Sequence, residues 1–147
     1  MLRRLRSFAA LSALERGLAL RAIGWLALAR AALIVMSFAQ LRRWVETHDS
    51  PSRAAAPDWP HFVRRAVSRA ARTLPGSTCL ARSLVAERLL HAGGHEARLT
   101  IGVARGPVSG AERALDAHAW VESGGVLVSG DAELERYTHL ATFGGGA

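Results

Sequence analysis

The chain has 147 residues, half of them hydrophobic, and a formal net charge of +7 from 19 arginines against 12 acids, with no lysine. That length allows one domain with a real core, or one domain with a helical appendage. A single cysteine excludes an internal disulfide, and one thiol with six scattered histidines argues against structural zinc, so neither metal nor cofactor is expected.

Met1 to Glu46 reads as helix nearly throughout, with Gly17 and Gly24 as points of breakage or close packing. Leu18 to Ala39 is the most apolar span. Arg21 and Arg30 speak against a membrane crossing, because each costs about 2.5–3.5 kcal/mol near a bilayer centre, and the apolar runs between them are too short to span. The opening Met1-Leu2-Arg3-Arg4-Leu5-Arg6 resembles the start of a secretory signal, but Glu15 and Arg16 interrupt the apolar stretch that should follow. The expectation is a pair of packed amphipathic helices in a cytoplasmic protein. Contact of residues 1–46 with a membrane surface is an alternative, not the prediction.

Three prolines between Thr47 and Pro60 mark a connection, giving an N-terminal helical segment at 1–48, a linker at 49–60 and a core at 61–147. A helix over His61–Thr73 places Phe62, Val63, Ala66, Val67 and Ala70 on one side, with Arg64, Arg65, Arg69 and Arg72 mostly opposite. Residues 1–72 hold 13 arginines and 4 acids; residues 73–147 hold 6 and 8. This basic half has no recognition motif and no aromatic-interleaved stripe, so nucleic acid is not an expected partner.

Leu74-Pro75-Gly76 stops that helix, and Ser77 or Thr78 caps the next one, which opens on Cys79. Apolar residues at Leu80, Leu84, Val85, Leu89 and Leu90 carry it to Gly93-Gly94. The glycines should end the helix between His91 and His95, which therefore read as surface histidines and not as a metal-binding pair. The period then switches to strand over Arg98–Val103. Gly106 to Asp116 reads as a loop of turn formers that by position borders a substrate groove. Ala117–Glu122 and Val126–Asp131 flank Ser123-Gly124-Gly125 as a hairpin, and Tyr137–Phe143 packs back on the sheet.

A thiol in the first turn of a helix sits at the positive end of the macrodipole, which favours thiolate. By position alone Cys79 is equally a small buried hydrophobe. With Gly124-Gly125 as the hairpin loop, Ser123 faces Val126, Val121 faces Val128, Ala119 faces Gly130 and His118 faces Asp131, Cβ atoms roughly 5 Å apart. Ala119, Val121, Val126 and Val128 then form a face suited to a helix, while His118, Trp120, Glu122, Leu127, Ser129 and Asp131 occupy the other. Cys79 as nucleophile, His118 as base and Asp131 as orienting carboxylate make a catalytic set. Glu122 and Asp116 are the substitutes for Asp131.

The segments Pro75–Leu84, Leu99–Val103 and Ala117–Glu122, in this order, resemble the lasso-peptide leader peptidases, the protease half of the B protein, within the transglutaminase-like, papain-related cysteine fold. The resemblance covers about residues 60–140, and Trp25–Val45 is similar to the helical leader-side segment of those proteins. It implies an α+β fold in which N-terminal helices precede a transglutaminase-like core, with a nucleophile-bearing helix packed on a small antiparallel sheet. It implies removal of the leader from a ribosomally made precursor, freeing the core amine for an asparagine-synthetase-like cyclase. By motif position the catalytic residues are Cys79, His118 and Asp131. Fused members carry a winged-helix domain that grips the leader. No strand-rich segment precedes residue 95 here, so the expected partners are the precursor leader, a separate leader-recognition protein and the cyclase. The alternatives are a non-catalytic scaffold that binds leader or cyclase, and acyl transfer by the same triad.

Overall fold

The computed structural model describes residues 11–47, 56–109, 112–130 and 133–145; residues 1–10, 48–55, 110–111, 131–132 and 146–147 lie outside these, among them 49–55 of the predicted linker. Helix α1 (Ala13–Val35) opens on a capping box, Ser12 Oγ accepting the Glu15 N–H and the Glu15 carboxylate accepting the Ser12 N–H, each at 3.2 Å. The Ser12 backbone bond, first among several causes, holds the Glu15 carboxyl below its ordinary value. The helix runs unbroken through Gly17 and Gly24, both of which face open space. The break comes later, at extended Met36, where Ser37 and Gln40 form a second capping box that starts α2 (Phe38–Thr47).

Helix α3 (Trp59–Thr73) has Pro60 in its first turn, where the missing N–H has no intrahelical use, and buries Val63, Ala66, Val67 and Ala70 as its pattern predicts. Helix α4 (Cys79–Ala92) starts at Thr78, whose Oγ1 accepts the Ala81 N–H at 3.2 Å. It ends between His91 and His95, with Gly94 at φ 73°, His95 N–H donating to Leu90 O (3.0 Å) and Gly94 N–H to His91 O (2.8 Å). The Trp59 ring lies against Gly93 and donates from Nε1 to Leu89 O at 2.9 Å.

Helix α4 is apolar on nearly every side because it is central: α1, α2 and α3 pack on it, and the sheet covers the rest. One core joins Leu18, Ala22 and Leu26 of α1 with Leu41 and Val45 of α2, the α3 and α4 interiors, and Val121 and Val128 of the sheet. Among the described residues, α1 is a helix of 23 residues, long and apolar enough to cross a membrane by length and composition. Its inner face is packed into this core, while Leu20, Leu28, Ile34 and Val35 stand exposed on its outer side. The interior also holds an ion pair: Arg42 Nη1 donates to both Glu87 oxygens at 3.0 and 3.2 Å, with Glu87 fully buried.

The sheet is antiparallel, in the order β3-β2-β1-β4, from β1 (Arg98–Ser109), β2 (Glu112–Ser123), β3 (Val126–Ser129) and β4 (Thr138–Phe143). The fold is therefore the expected α+β arrangement. Two expectations about the sheet are corrected. Gly106–Asp116 is not a loop: β1 and β2 run through most of it, pairing Arg105 with Leu115 and Val108 with Arg113 across a register shift. That irregularity absorbs Gly106-Pro107, whose missing N–H a regular ladder would not tolerate. The second concerns the hairpin. Gly124 (φ 54°) and Gly125 (φ 77°) make the expected turn, and Ser123–Val126 and Glu122–Leu127 pair as predicted. One residue is then added in β3, so Val121 faces Ser129 and not Val128, and the predicted register fails beyond Glu122. At such a bulge two neighbouring side chains oppose a single partner residue, and here Val128 and Ser129 are both buried.

Candidate active site

Cys79 occupies the first helical position of α4, after a turn that Gly76 makes at φ 78° and that Arg30 of α1 braces by donating from Nη1 to Pro75 O at 3.0 Å. Four residues on, Ser83 is fully buried and donates to Ala119 O of β2 at 3.1 Å, with Ser129 Oγ 3.4 Å away. Four helical residues advance roughly 6 Å, about the rise of two strand residues. The same alignment therefore sets Cys79 beside Ala117, with Sγ 4.0 Å from Ala117 O, at the limit of a thiol contact. β3 ends at Ser129, opposite Val121, so it does not extend along β2 to His118. The space left there is a cavity of about 220 Å³ lined by Ser77, Cys79, Arg82, His118, Ser129 and Gly130.

The His118 ring is buried and stacks on Tyr137, centroids 5.0 Å apart at 24°, with Trp120 nearly parallel at 6.4 Å. Tyr137 OH donates to Asp116 Oδ2 at 3.0 Å. Of the sequence-predicted residues, Cys79 and His118 thus line one cavity, while Asp131 lies outside the described residues. Asp116 precedes His118 by two and shares its side of the strand. Glu122 is four residues past it, about 13 Å along β2, too far for its carboxylate to reach the ring.

Tyr137 and Arg82 were not singled out from the sequence, and Ser77 only as a candidate helix cap. Arg82 Nε donates to Ser77 Oγ at 3.0 Å, fixing the guanidinium over the cavity. Ser83 was available as a signal, being a polar residue one helical turn after the cysteine on an otherwise apolar face. Among the described residues, no three His, Cys, Asp or Glu side chains gather as a metal site.

Gly102 pairs with His118 across β1, and a Cβ there would meet the Trp120 ring and Tyr137 Cβ at 2.9 Å. Gly102→Val is expected to push these rings off His118 and to lower both thermal stability, by about 1–3 kcal/mol as overpacking, and the rate of Cys79 alkylation. Thermal melts and thiol labelling of the same sample read the two effects.

Fold and site together describe an α+β domain in which a cysteine opens the central helix beside a histidine of an antiparallel sheet. The model of the transglutaminase-like superfamily matches residues 25–142, and the chain belongs to that superfamily. No curated protein and no solved structure matches it.

Proposed function

We propose that this protein is a cysteine peptidase that removes the leader from a lasso-peptide precursor, freeing the core N-terminal amine for macrolactam formation by a separate cyclase. The observation that carries the chemistry is that Cys79, at a helix start, and His118 line one cavity in a transglutaminase-like domain. The substrate class rests on the resemblance of the three motif segments.

In this mechanism His118 takes the thiol proton, and the Cys79 sulfur adds to the carbonyl carbon at the leader–core junction. The carbonyl oxygen becomes an oxyanion facing the Cys79 N–H, which belongs to the first helical turn and has no intrahelical acceptor. Collapse breaks the C–N bond, and His118 returns the proton to the departing core amine. Water, deprotonated by His118, then cleaves the thioester and releases the leader as a carboxylic acid. Asp131 is assigned the orienting role at His118, with Asp116 as its substitute. The partners are the precursor leader, a separate leader-recognition protein and an asparagine-synthetase-like cyclase; the lone free thiol suits a reducing, cytoplasmic setting.

The test is to incubate the full chain and its recognition partner with a lasso precursor and follow products by mass spectrometry. Cleavage at one bond, giving leader acid and an unmodified core amine, is expected. A leader product carrying an added amine in place of the hydroxyl would make the enzyme an acyltransferase. An uncut precursor beside a thiol unreactive to a cysteine probe would leave a binding scaffold.

A further inference from the structure

The cavity at Cys79 does not end there. A second space of about 300 Å³, between α3 and β3, shares Arg82, Ser129 and Gly130 with it and is lined further by Arg64 and Arg72 of α3. The two together form one groove leading away from the thiol along the bulged end of β3. Three arginines line it and no acidic side chain does, among the described residues. Neither Arg64, Arg72 nor Arg82 pairs with a described carboxylate, whereas Arg42 and Arg65 on the same helical layer do. The bond from Arg82 Nε to Ser77 Oγ holds its guanidinium where the two spaces meet. The terminal nitrogens of such a group form the planar fork that binds carboxylates bidentately. The remaining lining is small or apolar (Val67, Ala71, Val128, Gly130), leaving room for a chain to lie against it.

We propose that this groove is a carboxylate subsite: the substrate presents an acidic group beside the scissile bond, received by Arg82 and, farther from the thiol, by Arg64 and Arg72. The inference rests on Cys79 being the nucleophile. It gives the basic bias of the first half of the chain a location, since two of these arginines come from α3. Acidic side chains flanking the cleaved bond and a free C-terminal carboxylate share this chemistry, and the experiment separates them.

The single cysteine makes the test direct. The full chain is alkylated with iodoacetate and with iodoacetamide, each displacing iodide from the same carbon, one reagent anionic and the other neutral. The iodoacetate-to-iodoacetamide rate ratio is expected to fall as salt rises. It should fall again in the Arg64→Glu, Arg72→Glu double variant, on the order of fivefold for two charge reversals at the far end of the groove, each weakened by distance and salt. A ratio unmoved by both changes overturns the subsite. The source is read by protection of Cys79 from iodoacetamide. An N-acetylated, C-amidated pentapeptide with a central aspartate should protect better than its asparagine counterpart. Protection only by an N-acetylated alanine pentapeptide with a free C-terminus would assign the carboxylate to the chain end, and equal protection by all three would remove the subsite. If Cys79 reacts with iodoacetamide no faster than N-acetylcysteine amide, the nucleophile assignment fails instead, while the charge ratio stays readable.

Discussion

Replacing Cys79 by alanine is expected to abolish precursor cleavage, a loss on the order of 10³-fold or more, while the protein keeps its fold. The magnitude follows from removing the atom that forms the covalent intermediate in the proposed mechanism, after which only binding and oxyanion stabilisation remain. No other sulfur in the chain can stand in for it. The fold should survive because Cys79 is only partly buried, and because the start of α4 is held by Thr78 Oγ1 and the braced Pro75 turn, not by the thiol. Mass spectrometry of the products and circular dichroism on the same preparation check both halves, and full activity in the variant would discard the mechanism. His118→Ala should be nearly as severe, about 10²–10⁴-fold. The third position is decided by comparing Asp131→Asn with Asp116→Asn: the orienting acid is the one whose amide variant slows turnover.

The largest effect on stability is expected at Glu87. Its carboxylate is fully buried and takes both hydrogen bonds of Arg42 Nη1, itself almost covered by the Phe143 ring, 4.6 Å from the guanidinium carbon. Glu87→Ala takes the facing carboxylate away from a buried arginine cation, and breaking such a pair from one side costs about 3–5 kcal/mol. A small domain has in all only about 5–15 kcal/mol. The single variant should therefore unfold at markedly lower urea concentration, or fail to fold. The double variant Arg42→Met, Glu87→Leu should recover much of the loss, because two apolar side chains leave no charge to solvate. Denaturant titration of the three proteins compares them, and a Glu87→Ala protein as stable as the parent would refute the role of the pair.

What the sequence made legible was local. Thr78, Cys79 and the Gly93-Gly94 stop sit within a turn of the helix ends they control, and Gly124-Gly125 can hardly be anything but a hairpin. The extent of pairing was not legible. Gly106 and Pro107 carry strong turn preferences, yet the long β1–β2 ladder overrides them by a register shift that no short window displays. The bulge beyond Leu127 was hidden for another reason: Val128 is buried in either register, so the apolar face agreed with a pairing that does not exist. At the site, Cys79 and His118 came from helix and hairpin chemistry, whereas Tyr137 reaches His118 only because β4 folds back beside β1. Glu87 reads as one more polar position on α4 until Arg42, far off in sequence, arrives to meet it.

That last meeting has a bearing on how the protein is made. Phe143, in the final strand, packs edge-on against Phe38 and lies beneath Arg42, so the second helix is completed by a residue near the other end of the chain. During synthesis α1 and α2 can pack on α3 and α4 as these emerge, but the Phe38 ring and the Arg42 guanidinium keep an uncovered side until β4 has left the ribosome. Closure of so long a loop is slow relative to helix formation. A nascent chain stalled before Phe143 should therefore stay sensitive to protease at α2, and resistance there should appear once β4 is out.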